Sequence, residues 1–431
     1  LLENNFTLHH SLFIMNSAAK YLASKQVITT TLSSREIEEH VPKALVDNSV
    51  FSARTIYAEH VSETQRDIVE ALDGKLGAAE IRTRMGLRLK KLGYQPVPGE
   101  ERSIKDLSSD LRTNLIIEHQ TANARGYAVW RSQQRESIMT LYPAQELYRA
   151  ESRNVPRKWG KRWNDARRDL GEARTSATYA ASDNGPFVAK KNDPIWVHPY
   201  VNRFGNPWTP FDFRSGMRLR QTMAQRARDM GVPIAKGEVP AVHRDPMRRV
   251  QSSSAAGIPE PVLKEWMKPF GDRAMLHSGR VLVAPEGKSI LTEIAEAAAA
   301  GHQAQAVFGF VDKETIAVAG KLLTKAVPAD TVYQVSADEL RHISKQHGDE
   351  MRAGQRSVST DDITAIPETL KNGKWRESTK QEKGSFTGDG MSFVADNGVR
   401  LAFRVSRKKN NPHWSLHTMW IETKAGAQAA K

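Results

Sequence analysis

The chain contains no cysteine. Disulfides and thiolate metal sites are therefore excluded, which fits a reducing interior. Long apolar runs are also missing. The most apolar early stretch, 11–23, is interrupted by Asn16 and Lys20 and falls short of the ~20 residues that a membrane span needs. No basic start and small-residue cleavage pattern marks a secretory signal, and the start at Leu1 reads as lost or processed N-terminal sequence. No His-Glu-x-x-His zinc helix is present. Gly287-Lys-Ser289 is not a phosphate loop, because Leu282 stands where the first glycine belongs. Internal repeats are absent. No metal and no other cofactor is expected.

Acidic residues are in deficit: 49 Asp and Glu stand against 63 Lys and Arg, net +14. Such a balance suits contact with nucleic acid or another polyanion; the alternative is a solvated basic surface that keeps the protein soluble. The 431 residues leave room for roughly two to four domains. Residues 1–45 read as a polar arm with a short helix. From 43 to 93 the apolar residues Phe51, Ile56, Val61, Ile68, Leu72, Ile81, Met85 and Leu89 follow helical spacing, with a break at Asp73 and Gly74. A long helix is expected from 103 or 104 to 142. Cations then crowd 149–168: Arg149, Arg153, Arg157, Lys158, Lys161, Arg162, Arg167 and Arg168, with Trp159 and Trp163 among them. Arg157, Lys158, Lys161 and Arg162 are candidates for nucleic-acid contact; alternatively the tryptophans pack inward and the cations are solvated. Residues 179–217 are turn-rich and aromatic, a helical stretch follows Gln221, 231–290 reads as linker, and an Ala-rich helix spans 290–300.

Several segments between 46 and 220 resemble the Mu-type phage minor head protein family (head morphogenesis). They are Phe51-Ser-Ala-Arg-Thr55, Lys91-Leu-Gly93, the helix around Thr113-Asn-Leu-Ile-Ile-Glu-His119, and the block from Tyr179-Ala-Ala-Ser-Asp-Asn-Gly185 through Asn192-Asp-Pro-Ile-Trp196 to Gly216. Many relatives end that block with a Cys-Arg-Cys-like segment. Here Arg214-Ser-Gly-Met-Arg218 takes its place, so no metal or disulfide role is expected there. The resemblance implies a low-copy virion protein, made in the host cytoplasm and held inside the phage head near the portal. Its implied partners are the portal or major capsid protein and the packaged DNA, with no membrane.

Near the C-terminus, Ser336 with Glu339 reads as a capping box that opens a helix. Leu340, Ile343 and His347 can share one face, and His342 lies about 140° from His347 at ~3.6 residues per turn. His347 ends the helix, where the dipole favours a protonated imidazole. A second box, Ser359-Thr-Asp-Asp362, opens a helix over 361–370 that stops at Asn372-Gly373. Strands are expected at 374–378, 391–395, 399–405 and 413–421, with Asp396-Asn-Gly398 as a hairpin turn. Arg400, Ala402 and Arg404 should share one strand face. In the last strand His413, Ser415, His417 and Met419 should oppose Trp414, Leu416, Thr418 and Trp420.

This order resembles the barnase-EndoU-colicin-RelE-like nuclease domains found at the C-termini of phage minor head proteins. The match runs from 306 to 423 and includes Val307-Phe-Gly-Phe-Val311, Arg341-His-Ile-Ser-Lys-Gln-His347-Gly and His417-Thr-Met-Trp420. It implies metal-independent RNA cleavage, in which the ribose 2′-hydroxyl attacks the adjacent phosphate. A base, an acid and a cation are needed, and histidine suits both proton roles. On this reading His342 or His347 is base or acid, His417 is the complementary group, and Arg404 clamps the phosphate. Arg341 and Thr418 are further candidates for phosphate contact and positioning. Regular alternation puts His417 and Thr418 on opposite faces, so both reach one cleft only through a bulge. The alternative for the helix histidines is a solvent-facing or capping role.

The expected organisation is an arm at 1–45, a head-morphogenesis module at 46–220, a helical and linker region at 221–300, and a barnase-like domain at 301–425. The fold class is α+β: a mainly helical module with a long turn-rich segment, then two helices packed on an antiparallel sheet. Two functions stay open. One is a virion protein carrying a ribonuclease domain that is delivered into the host and acts on host RNA. The other is a purely structural portal-associated protein whose C-terminal domain only binds.

Overall fold

Helix Ala58–Leu72 buries Val61, Ile68 and Leu72, and helix Ala78–Lys91 buries Ile81, Met85 and Leu89. Spacings of four and seven give each helix one apolar stripe. The break falls where expected; Gly74 adopts φ 77°, a conformation that costs glycine little. The helix expected over 103–142 starts later, at the cap Ser109, whose side chain accepts from the Arg112 amide. It runs Asp110–Ser132, and a separate helix, Glu136–Leu141, follows.

The computed structural model describes residues 16–152, 157–241, 245–323, 326–348, 355–384, 388–408 and 411–423. Residues 1–15 of the expected arm, Arg153, and the end of the expected C-terminal domain at 424–425 lie outside these. The fold is α+β. It divides into two compact units: the first draws on the chain up to 23, on 29–31 and on 54–244; the second draws on 24–28, 32–53 and the chain from 245 onward.

In the first unit, strand Ala144–Arg149 is flanked by Val188–Lys190 and Met217–Thr222, all antiparallel. Trp159 and Trp163 point inward and pack with Phe187, Trp196 and Phe211. The turn-rich block is ordered around the buried Asp193. Its carboxylate accepts from the Thr175 hydroxyl at 2.9 Å, the Ser176 hydroxyl at 2.6 Å and the Ile195 amide at 2.9 Å.

The second unit departs from the expected boundaries. Gln26–Ile28 pairs in parallel with Ser49–Phe51. Gln251–Ser254, Arg280–Val283 and Ala274–His277 form an antiparallel sheet. Ile28, Ile37, Leu45, Trp266, Phe270, Val281 and Val283 share one core. The segments taken for an arm and a linker therefore build a single hydrophobic cluster. Their apolar residues are sparse and separated by Pro, Gly and Ser, so no local period reveals them; partners far along the chain bury them.

The C-terminal elements are α1 (Gly287–Ala299), β1 (Gln305–Phe310), α2 (Lys313–Leu322), β2 (Val332–Ser336), α3 (Ala337–His347), β3 (Gln355–Arg356), α4 (Thr360–Thr364), α5 (Ile366–Thr369), β4 (Gly373–Glu377), α6 (Lys380–Lys383), β5 (Gly390–Ala395), β6 (Val399–Lys408) and β7 (Asn411–Glu422). The sheet order is β4-β5-β6-β7-β2-β1, with β3 pairing β7. It has three strands more than the four expected, and it is mixed because β2 runs parallel to β7. The helix expected over 361–370 is split into α4 and α5, with Pro367 in the opening turn of α5, where its missing N–H costs nothing. The expected hairpin turn forms between β5 and β6, with Gly398 at φ 88°. Ile290, Leu291 and Ile294 of α1 and Leu340 and Ile343 of α3 pack with Phe393, Leu401, Phe403, Trp414 and Leu416 of the sheet.

Candidate active site on the C-terminal sheet

Strand β2 passes directly into α3 through a reciprocal cap. The Ser336 hydroxyl accepts from the Glu339 amide at 3.2 Å, and Glu339 Oε2 accepts from the Ser336 amide at 2.8 Å. Leu340 and Ile343 anchor the helix in the core, which leaves His342 exposed on another side.

Strand β7 carries the decisive irregularity. Ala402 of β6 faces Thr418, but the next residue, Phe403, faces Leu416; His417 is the extra residue of a bulge. Burial follows this shift. Trp414 and Leu416 lie in the core before it, Met419 and Ile421 after it. His413, Ser415, His417, Thr418 and Trp420 thus share the face away from the core, and Met419 leaves the set in which regular alternation put it. This face also holds Arg400, Ala402 and Arg404, because Val399, Leu401 and Phe403 point into the core.

Arg404 Nη2 lies 2.8 Å from His417 Nδ1. A guanidinium has only donors, so Nδ1 accepts and the neutral ring carries its proton on Nε2. The His342 and His417 rings stack with centroids 6.0 Å apart and planes 19° apart. Burial, the Arg404 charge and His342 together lower the His417 pKa to about 4, so the imidazole is neutral near pH 7. Thr418 Oγ1 is 3.5 Å from His347 Nε2. Beyond these, a Cβ placed on Gly384 would lie 3.5 Å from His417 Nε2. Gly384 ends α6, and Glu382 on that helix ion-pairs with Arg376 of β4. The α6 turn therefore borders the imidazole.

Glu339 belongs to the site's electrostatics although the sequence marks it only as a cap. Burial raises its pKa, while the Ser336 hydrogen bonds and the Arg404 charge act against the rise. The available signal is spacing: Glu339 and His342 are neighbours at i, i+3 on one helix.

The remaining candidates are placed differently. Arg341 donates to the His302 carbonyl at 3.0 Å and pairs with Asp338. Arg157 Nη2 donates to the Phe213 carbonyl at 2.7 Å. Arg162 Nε donates to the Tyr200 carbonyl at 2.6 Å, and its guanidinium lies 4.5 Å from the Trp159 ring. Both arginines also pair with the buried Asp212, so they fasten the turn-rich block to helix Trp159–Leu170. Lys161 pairs with Asp165 at 2.5 Å, and Lys158 is exposed at the helix start.

Among the described residues no group of three or more His, Asp or Glu is arranged to hold a metal ion, and no helix is long and apolar enough to cross a membrane. The arrangement around His417 combines two imidazoles, a guanidinium and a hydroxyl beside one sheet face, the groups that proton transfer beside a phosphate requires. Comparison with protein-family models, curated proteins and solved structures finds no match to this chain.

Proposed function

We propose that this chain is a minor head protein of a phage virion whose C-terminal sheet is a metal-independent endoribonuclease. The observation that carries the enzymatic reading is the bulge at His417. It brings His417 and Thr418 onto the face of Arg404, with His342 stacked alongside.

Arg404 turns from His417 Nδ1 to a non-bridging oxygen of a bound phosphodiester. That frees the Nδ1 lone pair, and the phosphate charge offsets the Arg404 charge that, together with burial, holds the imidazole's proton affinity down. His417 then takes the proton of the ribose 2′-hydroxyl, the 2′-oxygen attacks phosphorus, and the bond to the 5′-oxygen breaks. His342 gives its proton to that leaving oxygen. The products are a 2′,3′-cyclic phosphate and a free 5′-hydroxyl. Thr418, held by His347, positions the phosphate.

The virion reading is supported by the resemblance of 46–220 to head-morphogenesis proteins and by the net charge of +14, since phosphate neutralisation by cations is independent of sequence. Its partners are the portal or major capsid protein and packaged DNA, and host RNA once the enzyme is delivered. Recovery of the chain in purified particles tests this part.

The enzymatic part is tested with the full chain on a defined RNA in EDTA. Cleavage leaving cyclic phosphate is expected, with losses of roughly 10²–10⁴-fold in His342→Ala and His417→Ala. A folded wild type that cleaves nothing would leave the C-terminal domain as a binding module.

A further inference from the structure

The chain has nine tryptophans. Trp130, Trp159, Trp163, Trp196, Trp208, Trp266 and Trp414 are no more than 5% exposed, and Trp375 packs on the C-terminal core. Trp420 does neither. It stays partly exposed, is absent from that core, and has no aromatic ring stacked on it among the described residues. It stands two residues beyond Thr418 on the same face of β7, because the bulge turned both away from the core. Two residues of strand span about 6.6 Å. Across the sheet it faces Arg400. Arg400 pairs with Glu422 at 2.5 Å, and Trp420 is a near neighbour of that carboxylate. The partly exposed ring thus lies beside an arginine–carboxylate pair, on the same strand face as Thr418.

We propose that Trp420 is a stacking platform for the unpaired base next to the scissile phosphate, so that the site selects single-stranded RNA. The inference rests on the ribonuclease reading and adds its substrate class. Every base has a π-face, so such a platform is tolerant of sequence and demands only that the base be unstacked. A duplex keeps its bases stacked on each other and offers Trp420 nothing.

The test measures binding of the full chain to an RNA dinucleotide blocked by a 2′-O-methyl group, which cannot be cleaved, and to the same compound lacking the base. Wild type should bind the base-bearing compound more tightly. Trp420→Phe should keep most of that preference. Trp420→Leu should lose roughly tenfold in affinity for the base-bearing compound, with the abasic affinity unchanged. In wild type the Trp420 indole N–H resonance should shift with the base-bearing compound and not with the abasic one, a readout that needs no variant. Equal affinities in wild type and Trp420→Leu, or an indole signal that ignores the base, would overturn the platform. If wild type still cleaves RNA in that case, only the platform falls; if it neither binds nor cleaves, the ribonuclease reading falls with it.

Discussion

Arg404 and His417 compete for the same charge. The His417 imidazole is partly buried and accepts from a guanidinium, and both burial and that positive neighbour oppose its protonation. A titration followed by NMR should place the His417 midpoint at about 4. Arg404→Ala, or addition of inorganic phosphate, should move it upward. The stability consequence has a definite sign. A histidine whose folded pKa lies below its unfolded value of about 6.5 contributes stability above that pH. The contribution fades as pH falls from there to about 4, because only the unfolded chain takes up the proton in that window. The pH dependence of denaturant unfolding should therefore be shallower in His417→Ala than in wild type between those limits. An unchanged slope would mean that His417 is not held neutral.

At the scale of elements, close approaches are the sensitive points. Gly398 turns between β5 and β6 at φ 88°, and a Cβ there would meet the Glu422 carbonyl oxygen at 2.4 Å. Gly398→Ala should destabilise the C-terminal unit by roughly 1–3 kcal/mol, read as a fall in its melting temperature, and should weaken the register that puts Arg404 beside His417. Gly126 in helix Asp110–Ser132 meets the turn-rich block even more closely, since its Cβ would lie 1.8 Å from the Thr209 carbonyl oxygen. Trp208 Nε1 donates to Asn123 Oδ1 on the same helix at 2.8 Å. Gly126→Ala should therefore loosen the block and expose it to limited proteolysis, whereas Gly86→Ala, with nothing within 4 Å of its Cβ, should be tolerated. A helix cap carries a smaller effect. Ser336→Ala removes the acceptor for the Glu339 amide and should cost about 1 kcal/mol.

For the whole molecule, the discontinuous second unit matters most. The boundary expected at 300/301 would cut away α1, whose Ile290, Leu291 and Ile294 are buried in the same core as Leu340 and Phe403. Each such side chain contributes about 1.5–3 kcal/mol on burial. A fragment beginning at 301 should therefore lack a cooperative thermal transition. Deleting the chain up to residue 53 should lower the stability of the second unit as well, because Ile28, Ile37 and Leu45 cover Trp266. A fragment from 301 that melts cooperatively at the full-length temperature would refute this.

The sequence by itself determined whatever local chemistry controls. The boxes at Ser336 and Ser359, the break at Asp73 and Gly74, the hairpin at Asp396-Asn-Gly398 and the inward turn of Trp163 each depend on a handful of adjacent residues or on one helical period. The residues His342, His417 and Arg404 could be named from the same stretch. Tertiary structure alone decided that they meet. The extra residue at His417, the parallel pairing of β2 with β7 and the nearness of Glu339 to Arg404 arise from the fit of distant strands and helices over one core. So does the union of 24–28 and 32–53 with the chain from 245 onward. Register is set by which residues the assembled core can bury, and no window of adjacent residues contains that information.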